Sequence, residues 1–143
     1  MKLAVLGGGG VRSPFLAKSL ALGAKDTGIT EVVFMDIDEE KLYIYGKIAK
    51  RIAYMIAPEL DFSLTTDADA ALKDADYIIT TIRAEGDEGR VFDERSALNE
   101  GVLGQETTGA GGFAMALRSI HTLKEYCEKA RLLSKPDAPV FNF

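Results

Sequence analysis

Short apolar runs alternate with longer amphipathic stretches along this chain, the rhythm of a parallel βαβ sheet. Lys2–Leu6 predicts a first strand that runs straight into glycine. Ser13-Pro14 predicts a helix start, a capping residue followed by proline at the first helical position. That helix would carry Phe15, Leu16, Ser19 and Leu20 and stop near Gly23. Glu31–Asp36 predicts a second strand, with Val32, Val33, Phe34 and Met35 as a continuous buried run. A long helix is expected from Asp38 to about Ala57. Leu42, Tyr45, Ile48, Ile52 and Met55 recur there at three- and four-residue spacing, and Pro58 ends it. Asp61–Leu64 predicts a short third strand, Asp67–Lys73 a short helix, and Tyr77–Ile82 a fourth strand that is apolar on both faces.

Beyond the fourth strand the character changes. Arg83–Gly89 is too polar and too rich in glycine for a core element. Arg90–Asn99 predicts a helix, Gly101–Gly112 a second glycine-rich loop, Phe113 to about Leu133 a helix, and Pro139–Phe143 a fifth strand. The expected architecture is α/β, a Rossmann-like doubly wound parallel sheet in one domain over residues 1–143. A chain that stops inside an apparent core strand is expected to be the N-terminal domain of something longer.

Composition narrows the function classes. The 143 residues are 47% hydrophobic and 27% charged, the balance of an ordinary globular protein, which removes collagen-like and disordered classes. A net charge of −5 at pH 7 argues against a nucleic-acid partner, which needs a basic face. Apolar runs fall far short of the roughly 18 residues of a membrane span. Cys127 is the single cysteine, so an internal disulfide and four-cysteine zinc sites are excluded. With no signal-peptide pattern at the N-terminus, a cytoplasmic setting is the expectation.

The first candidate chemistry is the turn after the first strand. Gly7, Gly8, Gly9, Gly10, Val11 and Arg12 lead into the helix at Ser13-Pro14. Missing β-carbons let the backbone approach a pyrophosphate, and the helix N-terminus favours an anion. The third glycine of G-x-G-x-x-G is absent: Arg12 or Ser13 stands there, depending on the register. Asp36 closes the second strand, where a carboxylate can accept hydrogen bonds from a ribose. Ile37, Asp38, Glu39 and Glu40 follow, so a 2′-phosphate would meet four carboxylates; NAD is favoured over NADP.

Further motifs carry a family resemblance. The glycine run with Ser13-Pro14, Asp36, Ile82-Arg83, Asp93-Glu94-Arg95, Gly104-Gln105-Glu106-Thr107-Thr108-Gly109 and Val140-Phe141-Asn142-Phe143 fall in one order. In that order the chain resembles glycoside hydrolase family 4, the NAD- and metal-dependent glycosidases, and is closest to the 6-phospho-β-glucosidases. Ala84-Glu85, Ala110 and Ser96–Glu100 depart from the family's usual wording.

The resemblance implies hydrolysis of a phosphorylated disaccharide or glucoside by an exception to the two-carboxylate scheme. NAD⁺ takes hydride from C3 of the sugar, a base removes the C2 proton, and the aglycone leaves by elimination. Water adds back and the hydride returns, while a divalent metal, typically manganese, polarises the sugar oxygens. It further implies Arg90 as the residue for the sugar phosphate, with Arg83 and Arg95 as further candidates for that pocket and Asn142 as a substrate contact. Ile82, Gln105 and Glu106 join the cofactor set. The catalytic aspartate and tyrosine and the metal ligands are expected beyond Phe143. No catalytic or metal residue is therefore expected in this chain, which alone would bind NAD weakly and hydrolyse nothing. His121 is expected at the surface and Cys127 half-buried, the two pointing to opposite sides of their helix. Thr80 and Thr81 read as structural β-formers. A homo-oligomer, dimer or tetramer, is implied at full length. The competing expectations are a lactate/malate-type NAD-dependent 2-hydroxy acid dehydrogenase and a nucleotide-sensing module without activity.

Overall fold

Five strands form one parallel sheet in the order β3-β2-β1-β4-β5 in the computed structural model, which describes residues 1–105 and 108–143. They are β1 (Lys2–Leu6), β2 (Glu31–Met35), β3 (Asp61–Thr65), β4 (Tyr77–Thr80) and β5 (Val140–Asn142). The order runs outward from β1 in both directions, so the connections reverse between β1 and β4. Ligands of open α/β sheets collect at the carboxyl ends of strands flanking such a point. The last paired row crosses the sheet as Thr65, Met35, Leu6, Thr80 and Asn142. Residues immediately after that row therefore share the carboxyl edge.

The chain divides into two compact units, Met1–Thr81 with Glu128–Phe143, and Ile82–Cys127. In the first, β1 and β2 bury nearly every side chain, as strands covered on both faces must. Phe34 and Phe62 meet at 4.7 Å in the core. The helix α1 (Ser13–Thr27) packs through Ser13, Ala17, Ala21 and Ala24. Phe15 and Ser19 face solvent instead, with Leu16 and Leu20 partly covered. Small side chains let a helix lie close on a sheet, and the apolar residues expected inward did not have to be the largest. Nor does α1 stop at Gly23. It continues to Thr27 and ends at Gly28, whose φ of 71° makes the left-handed cap.

The long helix from Asp38 is broken into three parts. Asp38 caps α2 (Glu39–Lys41) by accepting the Lys41 N–H at 3.0 Å. A π-helical turn (Leu42–Gly46) leads into α3 (Lys47–Ile56). An extra residue in that turn shifts the phase of everything after it. Leu42, Gly46, Ala49 and Ala53 are buried, whereas Ile48 and Met55 from the expected stripe are exposed. After β3, Asp67 caps α4 (Ala68–Leu72).

The second unit is built mainly from α5 (Gly86–Asn99) and the first part of α6 (Gly109–Leu133). Both helices start four residues before the polar and glycine-rich sequence suggests. Glu85, at φ 60°, precedes α5 in the left-handed region. Gly89, Asp93 and Ala97 form the buried stripe of α5. Glycine lowers helix propensity locally, but a buried polar stripe repays it through specific contacts.

Candidate functional site

The turn after β1 is held by the Met35 carbonyl together with the side chains of Asp36 and Thr81. The N–H groups of Gly7 and Gly8 both donate to the Met35 carbonyl, each at 2.8 Å. Gly7 has φ 98°, and a β-carbon there would lie 2.6 Å from the Thr81 carbonyl oxygen. A β-carbon on Gly8 would lie 2.6 Å from Cβ of Phe34. Glycine is thus required at both positions, by Thr81 just after β4 and by Phe34 of β2. Gly10 is different: its nearest such contact is 3.8 Å away, and Val11, Arg12 and Gly10 itself are exposed.

Asp36 ties the turn to β2. One carboxylate oxygen accepts the Gly9 N–H at 2.8 Å and the other the Asp38 N–H at 3.0 Å. Each oxygen has a second lone pair, so both can still accept from a ribose. The acids that follow do not all stay free. Asp38 pairs with Lys41 at 3.4 Å, and the Lys41 backbone N–H, first among its contacts, holds its carboxyl below the usual range. Of the two residues that can stand at the fingerprint's third position, Ser13 is 5% exposed and Arg12 is exposed.

Two threonines complete this edge. Thr81 Oγ1 donates to the Gly7 carbonyl at 3.1 Å. Thr80 Oγ1 donates to Asn142 Oδ1 at 2.8 Å, across the β4–β5 pair. A hollow of about 450 Å³ opens at the opposite edge, near Lys2, Glu31, Asp76 and Lys135. Asp76 there accepts the Lys2 backbone N–H and the Lys135 ammonium, both at 2.7 Å, and so staples β1 to the segments before β4 and β5.

The second unit gathers charge. Arg83, Arg90, Asp93, Glu94, Met115 and Arg118 line one small pocket. Asp93 is 4% exposed and receives both terminal nitrogens of Arg118, one of them at 2.7 Å. The Arg118 hydrogen bonds, chief among the causes, hold the Asp93 carboxyl below its ordinary value. Arg118 Nε is buried and lies 3.3 Å from Glu85 Oε2 without a hydrogen-bond angle. Gly89 makes room for this guanidinium, since a β-carbon there would come within 3.2 Å of it. Arg90 Nε donates to Glu94 Oε1 at 2.8 Å, and Arg83 lies 3.6 Å from Asp87.

The structure brings together some candidates and separates others. Arg83 and Arg90 share a pocket, while Arg95 is exposed on α5 and does not line it. A helical step from 90 to 93 and 94 keeps one face; a step to 95 leaves it. Ile82 is half-buried just after Thr81. Gln105 accepts from Thr108 Oγ1 at 2.6 Å, and Glu106 lies outside the described residues. Sequence reasoning missed Arg118 and its pairing with Asp93. The signal was a single arginine inside the apolar stretch Ala114–Ile120, which needs a buried partner. His121 is exposed and 3.3 Å from Glu125, and Cys127 is exposed rather than half-buried. Among the described residues no cluster of three or more His, Cys, Asp or Glu could hold a metal ion, and no helix is long and apolar enough to cross a membrane.

Comparison with known proteins shows the family. The profile of the family described as "Family 4 glycosyl hydrolase" matches residues 2–143. The 6-phospho-beta-glucosidase BglT of Thermotoga maritima is 39% identical over 143 residues, 100% of this chain and 33% of that protein. Its solved structure with NAD and glucose-6-phosphate superposes with a TM-score of 0.92 over 100% of this chain and 33% of that one. A 6-phospho-alpha-glucosidase from gut microorganisms, solved with NAD and Mn²⁺, is 37% identical with a TM-score of 0.92, over 99% of this chain and 32% of that one. The chain therefore spans about a third of the length of the relatives it matches. A lactate dehydrogenase of Trichomonas vaginalis, at 16% identity and TM-score 0.64 over 97% of this chain and 36% of that one, shares the fold alone.

Proposed function

Because the chain belongs to family 4 of the glycosyl hydrolases, we propose that it is the NAD-binding part of a 6-phospho-β-glucosidase that also needs a divalent metal. The observation that carries the reading is the turn at Gly7–Gly9, locked by the Met35 carbonyl and Asp36 at the carboxyl edge of the sheet. A β-carbon at any of these three glycines would fill the cradle, at 2.6 to 2.8 Å from its wall. Such a bare, fixed backbone suits a pyrophosphate at the start of α1. Asp36 would orient the adenosine ribose through its remaining lone pairs, and the acids after it disfavour a 2′-phosphate. Bound NAD would supply an acceptor and donor for the sugar's hydride.

The chain's own part in turnover is positional. Arg90 and Arg83 would meet the 6-phosphate, exchanging carboxylate partners for phosphate oxygens. Asn142 would contact the sugar at the sheet's edge. Ile82, Gln105 and Glu106 complete the cofactor side of the reading. The described residues do not fit a manganese site, so no step here runs through the metal; its ligands and the catalytic residues belong, on this reading, to sequence outside this chain. A phosphorylated substrate and an unpaired cysteine suit the cytoplasm, and the reading includes a homo-oligomer at full length.

The test pairs two assays. The isolated chain is titrated calorimetrically with NAD and NADP, and the full-length protein is offered 4-nitrophenyl 6-phospho-β-glucoside and its α-anomer with NAD⁺ and Mn²⁺. The reading expects NAD binding in preference to NADP, and release of nitrophenol from the β-anomer without net NADH. Preference for the α-anomer overturns the anomeric assignment. Net NADH from a hydroxy acid, with no nitrophenol, overturns the glycosidase reading.

A further inference from the structure

We propose that Thr80 is a positioning residue: it fixes the carboxamide of Asn142 so that its NH₂ group, and not its oxygen, is presented to the sugar. This rests on the reading of Asn142 as a substrate contact. Thr80 and Asn142 are direct partners in the β4–β5 register, so their side chains leave the sheet on one face. Thr80 is 1% exposed, while Asn142 is exposed. The hydroxyl donates to Asn142 Oδ1 at 2.8 Å, and the Thr80 carbonyl is occupied by the Phe143 N–H at 3.0 Å.

The two faces of a carboxamide differ only in what they offer, so the partner decides its orientation. Were the amide turned over, its NH₂ would donate to Thr80 Oγ1. The buried hydroxyl proton would then lose the Asn142 oxygen, the acceptor it has in the structure. A buried donor without a partner costs more than the hydrogen bond itself is worth. The observed orientation is therefore fixed by burial of Thr80. What remains at the carboxyl edge is a pair of N–H donors. Asn142 would then read a sugar oxygen as an acceptor, and an oxygen that gains negative charge would hold it more tightly. It would not read a hydroxyl through its proton.

The experiment uses Thr80→Val, which keeps the shape and removes the donor, and Thr80→Ser, which keeps the donor. In the full-length protein, KM for 4-nitrophenyl 6-phospho-β-glucoside is expected to rise about tenfold in Thr80→Val. Thr80→Ser should stay within about twofold of the parent, and NAD affinity should not change in either. Heteronuclear NMR of the isolated chain gives a readout without turnover: the Asn142 side-chain carbonyl ¹³C signal, shifted downfield when its oxygen accepts a hydrogen bond, should be alike in the parent and Thr80→Ser and move upfield in Thr80→Val. Unchanged signals and KM in a folded Thr80→Val overturn the proposal. Should that variant not fold, Asn142→Asp decides. It keeps an acceptor for Thr80 but turns donors into an acceptor, so an unchanged KM overturns the proposal and a raised one supports it. Absence of hydrolysis in the parent counts against the glycosidase reading alone, because the NMR signals still report on Thr80.

Discussion

On the proposed function the two units would meet anions in opposite ways. Around Gly7–Gly9 the work is done by backbone and by missing side chains; the only carboxylate involved, Asp36, accepts two backbone N–H groups. Around Arg90 it is done by long charged side chains, each held by an acid. A backbone cradle is rigid and pays little to keep its shape. An arginine pocket is adjustable, but unliganded it needs carboxylates to hold its charges apart, and a phosphate must displace some of them. The first is a fixed mould and the second an exchangeable set of ion pairs.

The mould should break first and hardest. Gly8→Val puts branched carbon where even a β-carbon would lie 2.6 Å from Phe34. We expect a loss of about 1–3 kcal/mol in stability from overpacking, together with loss of detectable NAD heat. Thermal melting and calorimetric titration of the isolated chain check both; near-parental NAD affinity would show that the turn is softer than its geometry.

The arginine pocket should fail next, and locally. Asp93→Asn leaves Arg118 with one good acceptor in place of two. Hydrogen-exchange protection in α5 and early α6 should fall about tenfold or more, with little change in the strands. Acid should do the same without mutation. The folded Asp93 carboxyl titrates below its ordinary value because Arg118 hydrogen-bonds it. Its contribution is complete above the unfolded carboxylate pKa of about 3.9 and is lost as pH falls through the lower folded value. Protection in α5 should therefore be flat above that window and decline below it in the parent, and be less steep in Asp93→Asn.

A smaller effect belongs to Asp36→Ala. It removes two backbone contacts and the ribose acceptor, but Met35 still holds Gly7 and Gly8. NAD affinity should drop about tenfold while the fold persists. A drop as complete as that of Gly8→Val would mean that the carboxylate, and not the Met35 carbonyl, holds the mould.

The mould was also the more legible of the two units. Strand boundaries around Gly7 and Asp36 follow from runs of apolar residues and a glycine turn, which are local signals. The family likeness was legible too, from ordered motifs spread along the chain. What local pattern could not show was phase and partnership. The π turn at Leu42–Gly46 rotates the buried stripe onto Ala49 and Ala53, a choice made by the fit of Gly46 under Leu64. The Arg118–Asp93 pair joins residues 25 apart, and no spacing rule within one helix reveals it. The early start of α5 at Gly86 follows from the same cause: its helix is stabilised by what Asp93 and Gly89 meet, not by propensity.

The smallest expected effect is that of Arg95→Ala, which separates two arginines on one helix. Arg90 and Arg95 lie on α5 in the same charged run, and sequence reasoning gave both a place in the phosphate pocket. Arg90 lines that pocket beside Arg83, with its Nε on Glu94; Arg95 is exposed and takes no part in the lining. In the full-length protein, Arg90→Ala should weaken glucose-6-phosphate binding about tenfold or more, as loss of a charge-assisted hydrogen bond requires. Arg95→Ala should leave it within about twofold, the range of a screened surface charge. Raising the salt should shrink the Arg95 effect to nothing while sparing most of the Arg90 effect, because direct contact is screened less than a distant field. Equal losses in the two variants would mean that the unit reads phosphate by its summed charge, and the contrast between a mould and a set of specific ion pairs would no longer hold.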